Sequence, residues 1–173
     1  MRVLSVGLVL ALVLAPAEGG AEKEASFGTA VRELRLGLEL PKLNATRPCG
    51  GLCGLVVGSR VVATFLFQNL SKRDQKLAYE LTCSGHELTI DIRRPTAKAS
   101  SATVWLGKST SCRANAPIYR TIAAGATERL SLPFVVPELD PAIYEVTARA
   151  RIVPERGKGF VLTSAGLERP IHR

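Results

Sequence analysis

Histidine, tryptophan and methionine are nearly missing from this chain, with two His, one Trp and one Met in 173 residues. That leaves little material for a metal centre or for histidine-driven proton transfer. Aromatic residues supply only 5% of the sequence. Beyond the N-terminal segment no apolar run reaches the roughly 18 residues that a transmembrane helix needs. Sustained helical periodicity is absent, and so are internal repeats. What is present is ordinary globular chemistry, 46% apolar and 22% charged, which is too apolar for disorder. The 15 Gly and 10 Pro argue against a helical bundle and for short segments joined by turns.

The first residues have the grammar of an export signal. Met1-Arg2 supplies a positive charge, Val3 to Leu14 is apolar, and Ala15-Pro16-Ala17 offers the small residues of a cleavage site. We therefore expect residues 1–17 to be a signal peptide, 18–30 a flexible leader and 31–173 a single domain. The expected location is secreted, extracellular or periplasmic, with no transmembrane segment after cleavage.

Export changes the reading of Cys49, Cys53, Cys83 and Cys112. An even number of cysteines in an oxidising compartment points to disulfides. Four cysteines allow three pairings. The short Cys49-Gly50-Gly51-Leu52-Cys53 loop favours Cys49–Cys53 with Cys83–Cys112. The second bridge would close a loop of about 30 residues and stabilise by roughly 3–4 kcal/mol. Zinc would want two tight cysteine pairs or adjacent histidines, and His86 three residues after Cys83 is a weak match. No metal is expected.

Period-two alternation governs the rest. Leu34, Leu36, Leu38 and Leu40 share one face of a strand. Ser59 to Asn69 is β-branched and aromatic, and reads as a deeply buried strand. Lys76 to Cys83 and Glu87 to Ile92 alternate around Ser84-Gly85 and read as a hairpin. Ala102 to Leu106, Ile118 to Ile122, Thr127 to Val136, Ala142 to Val153 and Phe160 to Ser164 complete the set, before a loose tail containing His172. Phe65, Phe67, Leu77, Tyr79, Trp105, Leu130, Leu132 and Val146 are expected inside. The fold expected is all-β, a single antiparallel immunoglobulin-like β-sandwich of about 7–9 strands.

Two resemblances bear on function. Asp140-Pro141-Ala142-Ile143-Tyr144-Glu145-Val146 resembles the tyrosine corner of immunoglobulin-type sandwiches, with Val146 in the place of the second cysteine. With Gly58 to Val61 leading into Phe65 to Ser71, and Ala123 to Leu130 before the corner, the chain resembles compact immunoglobulin-like modules. The bacterial intracellular proteinase inhibitor family is among them, and that resemblance implies an inhibitor-like binding role. Pro48-Cys49-Gly50-Gly51-Leu52-Cys53 and Cys112 to Ile118 resemble pieces of lipid-recognition domains of the sterol-transfer type. That second resemblance implies a lipid held in a cavity between the sheets.

The remaining motifs are spare. Gly107-Lys108-Ser109 ends like a phosphate loop, but Ala102 stands where the first glycine belongs. Neither histidine has a nucleophile placed by a scaffold, so no enzyme and no cofactor are expected. The formal charge of +8 favours an anionic partner, while nucleic acid is a poor fit to an exported domain without an aromatic-basic motif. Arg149, Arg151, Arg156 and Lys158 form a candidate basic patch. Asn44-Ala45-Thr46 and Asn69-Leu70-Ser71 are glycosylation sequons in expected loops, relevant only in a eukaryote. The function expected is an exported binding or accessory module for a protein or anionic envelope partner. The alternative is a secreted lipid carrier.

Overall fold

A computed structural model of the chain describes residues 24–41, 54–78, 88–95, 101–106 and 119–173. Residues 1–17, expected to be a signal peptide, lie outside these residues, as do all four cysteines, Asn44, Tyr79, His86 and the Gly107-Lys108-Ser109 segment. Among the described residues there are twelve strands and no helix. In chain order they are β1 (Glu24–Phe27), β2 (Leu34–Leu40), β3 (Leu55–Val56), β4 (Arg60–Asn69), β5 (Gln75–Ala78) and β6 (Leu88–Arg93). Then come β7 (Ser101–Trp105), β8 (Arg120–Ile122), β9 (Thr127–Val135), β10 (Ala142–Pro154), β11 (Phe160–Thr163) and β12 (Leu167–His172).

The first sheet runs β1-β2-β4-β9, antiparallel throughout. The second is organised around β10. Residues 142–146 of β10 pair with β12 and residues 149–152 with β11 on one edge. On the other edge residues 145–150 pair with β6, and Val153-Pro154 with β5. Then β7 extends β6, β8 extends β5, and β3 adds to β12 in parallel. Ser164 bridges the gap between β12 and β11: its N–H donates to the Ala148 carbonyl and its Oγ accepts from the Ala148 N–H, both at 2.9 Å.

This connectivity is immunoglobulin-like. Consecutive strands β4 and β5 lie in opposite sheets, as do β9 and β10, so the chain crosses the sandwich rather than meandering. The corner expected before β10 is present: Tyr144 is fully buried and its hydroxyl donates to the Asp140 carbonyl at 3.0 Å. Parity along β10 puts Tyr144, Val146, Ala148, Ala150 and Ile152 inside, and Ile143, Glu145, Arg149 and Arg151 outside. The four leucines of β2, with Phe65 and Phe67, form the facing wall of the core. Burying one such side chain contributes about 1.5–3 kcal/mol, so these strands carry much of the stability.

Several sequence expectations change. Glu24–Phe27, read as part of a flexible leader, is strand β1 with Phe27 opposite Gly37. The expected tail is strand β12, in which Leu167 and Ile171 are buried. The segments read as one hairpin around Ser84-Gly85 contribute β5 and β6, which lie end to end along the same edge of β10. Leu130 and Leu132 are half-buried, because β9 is an edge strand among the described residues.

Val31 to Leu34 closes a two-residue hairpin loop through reciprocal backbone bonds of 2.7 and 3.1 Å. Arg32 and Glu33 both take positive φ, 52° and 60°, where glycine or asparagine is the usual occupant. The turn is held from outside. Arg32 donates to the Lys158 carbonyl at 2.9 Å and lies over the Phe160 ring, while the Glu33 carbonyl accepts from the Leu70 N–H.

Candidate functional site

The largest correction concerns Trp105. Its size suggested a core position, but it is 47% exposed on the outer face of the second sheet. Parity is the reason: Val104 packs against the core and Leu106 is buried, which turns Trp105 outward.

The register then fixes its neighbours. Trp105 is opposite Thr89, and Thr89 is opposite Arg149, so the three form one row across β7, β6 and β10. The next row places Thr103 beside Asp91. On the far side of β10, Arg151 is opposite Val161, which is also 47% exposed. These seven side chains line an open groove of about 330 Å³, at the lower end of the range for small-ligand sites (~300–1,000 Å³).

The polar members are already oriented. The Thr103 hydroxyl donates to Asp91 Oδ1 at 2.7 Å, and Arg149 Nη1 stands 3.6 Å from Asp91 Oδ2. Asp91 therefore offsets Arg149, whereas Arg151 has no acidic partner among the described residues. Among the described residues the groove thus carries one cation without an acidic partner, across β6 and β10 from the indole.

The structure divides the expected basic patch. Arg149, Arg151, Arg156 and Lys158 are all exposed, but only the first two border the groove. Arg156 and Lys158 belong to the turn after β10, where Arg32 from the first sheet grips the Lys158 carbonyl. Thr103, Asp91 and Val161 were not singled out from sequence, because each becomes a site residue only through cross-strand register.

The Asn69 sequon is also reinterpreted. Asn69 ends β4 and is fully buried, instead of standing in an open loop. Its Nδ2 donates to the carbonyls of Arg73, Ile122 and Ala123, and its Oδ1 accepts from Ser71 and Gln75. A glycan on Nδ2 is incompatible with that burial. The residue pins the loop after β4 onto the turn after β8. His172, expected in a loose tail, sits in β12 with Nε2 buried and without a hydrogen-bond partner among the described residues. It packs so close to Gly54 that a Cβ there would lie 2.4 Å from the imidazole ring.

Among the described residues no cluster of three or more His, Cys, Asp or Glu is placed to hold a metal. None forms a helix long and apolar enough to cross a membrane. No family model matches the chain, and no curated protein matches it. The likenesses to solved structures are faint, as three of them illustrate. Northeast Structural Genomics Consortium target SoR45 is 12% identical, with 82% of this chain and 88% of that one covered and a TM-score of 0.45. The Pseudomonas fluorescens alkylpurine DNA glycosylase AlkC, bound to DNA, is 14% identical over 69% of this chain and 27% of its own, with a TM-score of 0.37. The ASH/PapD-like domain 7 of human CEP192 is 10% identical over 94% and 98%, with a TM-score of 0.30.

Proposed function

We propose that the protein is an exported, non-enzymatic binding module whose partner, a protein or an anionic envelope surface, docks on the outer face of the second sheet. It acts as an inhibitor would, by occupying its partner. The observation that carries this reading is the exposure of Trp105 and Val161 at the two sides of a groove that Arg151 also lines. An aromatic anchor with an arginine is the composition of binding hot spots, and a solvated sheet face has no need of it. The N-terminal apolar segment and the even cysteine count support export, with Cys49–Cys53 and Cys83–Cys112 as the proposed bridges. The lipid-carrier alternative places its ligand between the sheets. There the described strands set Tyr144 and the β10 side chains in one core cluster with Phe65, Phe67 and the β2 leucines. The outer face is the better-supported site.

The test is co-sedimentation of the pure protein with washed envelopes of the organism that makes it, beside a Trp105→Ala/Arg151→Ala variant. Loss of binding by tenfold or more, with the melting temperature retained, supports the proposal. Undiminished binding by the variant would overturn it.

A further inference from the structure

Resting on that reading, we infer that the groove over β6, β7, β10 and β11 takes an acidic saccharide: a sugar ring bearing a carboxylate or sulfate. Three features converge on that chemistry. The half-exposed Trp105 indole is a flat platform for the C–H face of a ring. Beside it the Thr103–Asp91–Arg149 cluster, drawn from two adjacent rows, presents acceptor and donor atoms already oriented by 2.7 and 3.6 Å contacts, as recognition of neighbouring hydroxyls requires. On the other side Arg151 offers a planar fork suited to a carboxylate or sulfate, the geometry in which arginine is strongest.

Charge balance separates this ligand from its rivals. Asp91 faces the same groove and would repel a polyphosphate chain, yet it is a useful acceptor for a sugar hydroxyl. A lipid surface would want a broad basic plane, but Arg156 and Lys158 are set apart in the turn after β10 and do not border the groove. A protein side chain in a groove this polar would find only Trp105 and Val161 as apolar contacts. A ring with hydroxyls and one negative group uses every wall.

The whole mature protein is titrated with a galacturonate oligosaccharide, a sulfated heparin oligosaccharide, a neutral manno-oligosaccharide, phosphatidylglycerol vesicles and an oligothymidylate. Calorimetry and the emission of the single tryptophan are read in parallel. The expected result is saturable binding of at least one acidic saccharide, a shift in Trp105 emission, and little response to the neutral sugar. Arg151→Ala and Trp105→Ala should each weaken that binding about tenfold or more, and Arg151→Lys should recover only part of the loss. Lys72→Ala, far along the chain in a different surface groove, should leave it unchanged. If Trp105→Ala folds poorly, Arg151→Ala decides the matter alone. Failure of both acidic saccharides to bind overturns the inference. Binding of vesicles or oligonucleotide alone, weakened by Arg151→Ala, also overturns it and leaves the sheet face standing as the docking surface. Binding that neither substitution weakens brings down both.

Discussion

The two sheets differ on their outer faces, and the difference separates structure from function. On the first sheet many of the outward side chains answer one another, although Val62 and Val135 stay exposed. Arg129 pairs with Glu39, Thr64 shares a 2.8 Å hydrogen bond with Ser131, and Arg35 donates to Gln68 while stacking on Phe27. Glu39, Thr64 and Leu66 are buried although they point away from the core. On the second sheet Trp105, Val161 and Ile143 stay exposed, and Arg151 has no acidic partner among the described residues. The paired side chains over β2, β4 and β9, the closed face, are satisfied within the chain, and the open face, which carries Trp105, is the one on which we propose that a partner docks.

If this contrast is right, substitutions on the closed face should cost stability and those on the open face should not. The largest effect is expected for Arg129→Ala. It leaves the buried Glu39 carboxylate without its charge partner and should cost about 1.5–3 kcal/mol. A drop of several degrees in melting temperature checks it. Gly37→Ala comes next, at about 1–2 kcal/mol, because the new Cβ would meet the Phe27 ring at 2.8 Å and Leu66 at 3.2 Å. Chemical denaturation should show a lower midpoint.

Tyr144→Phe lies beneath the open face and tests the corner at one atom. Removing the bond to the Asp140 carbonyl should cost about 0.5–1.5 kcal/mol without opening a cavity. An unchanged melting temperature would show that the corner contributes nothing. Arg151→Ala should stay within about 0.5 kcal/mol of the parent, as an exposed side chain does. A larger loss would mean that the open face is also structural.

The smallest effect belongs to the exposed pair of Lys76 and Glu155. The Lys76 ammonium donates to Glu155 at 2.7 Å and holds that carboxyl below its ordinary value. An acid held low adds stability above its unfolded pKa and gives it up as pH falls through its folded pKa. Lys76→Met should raise the Glu155 titration midpoint in NMR, with the smallest fall in melting temperature of the series at neutral pH. A midpoint that stays put would show that the pair does not persist in solution.

How much of this was legible in the sequence follows one rule. Strands with strict alternation, such as β2, β9 and β10, were readable because one burial parity satisfies every residue. The core face of the sandwich and the Tyr144 corner came with them. Trp105 departs from the expectation because Val104 and Leu106 take the inward parity of β7 and turn it outward. Strands β1 and β12 were missed because Glu24-Ala25-Ser26 and Glu168-Arg169-Pro170 lack an apolar pattern, and their partners β2 and β10 order them. The groove itself was out of reach. Thr89, Asp91, Thr103 and Val161 come from three strands, and only register brings them beside Arg149 and Arg151.

Strand β10, paired along both edges, has a consequence for the site it supports. Its amides are shared among β12, Ser164 and β11 on one side and β6 and β5 on the other. It cannot open without dismantling the whole second sheet, so its amide protons should be among the slowest in the molecule to exchange with solvent. Arg149 and Arg151 are rooted in that strand. Their backbones are already fixed before any ligand arrives, so recognition orders only side chains and gives up correspondingly little conformational freedom.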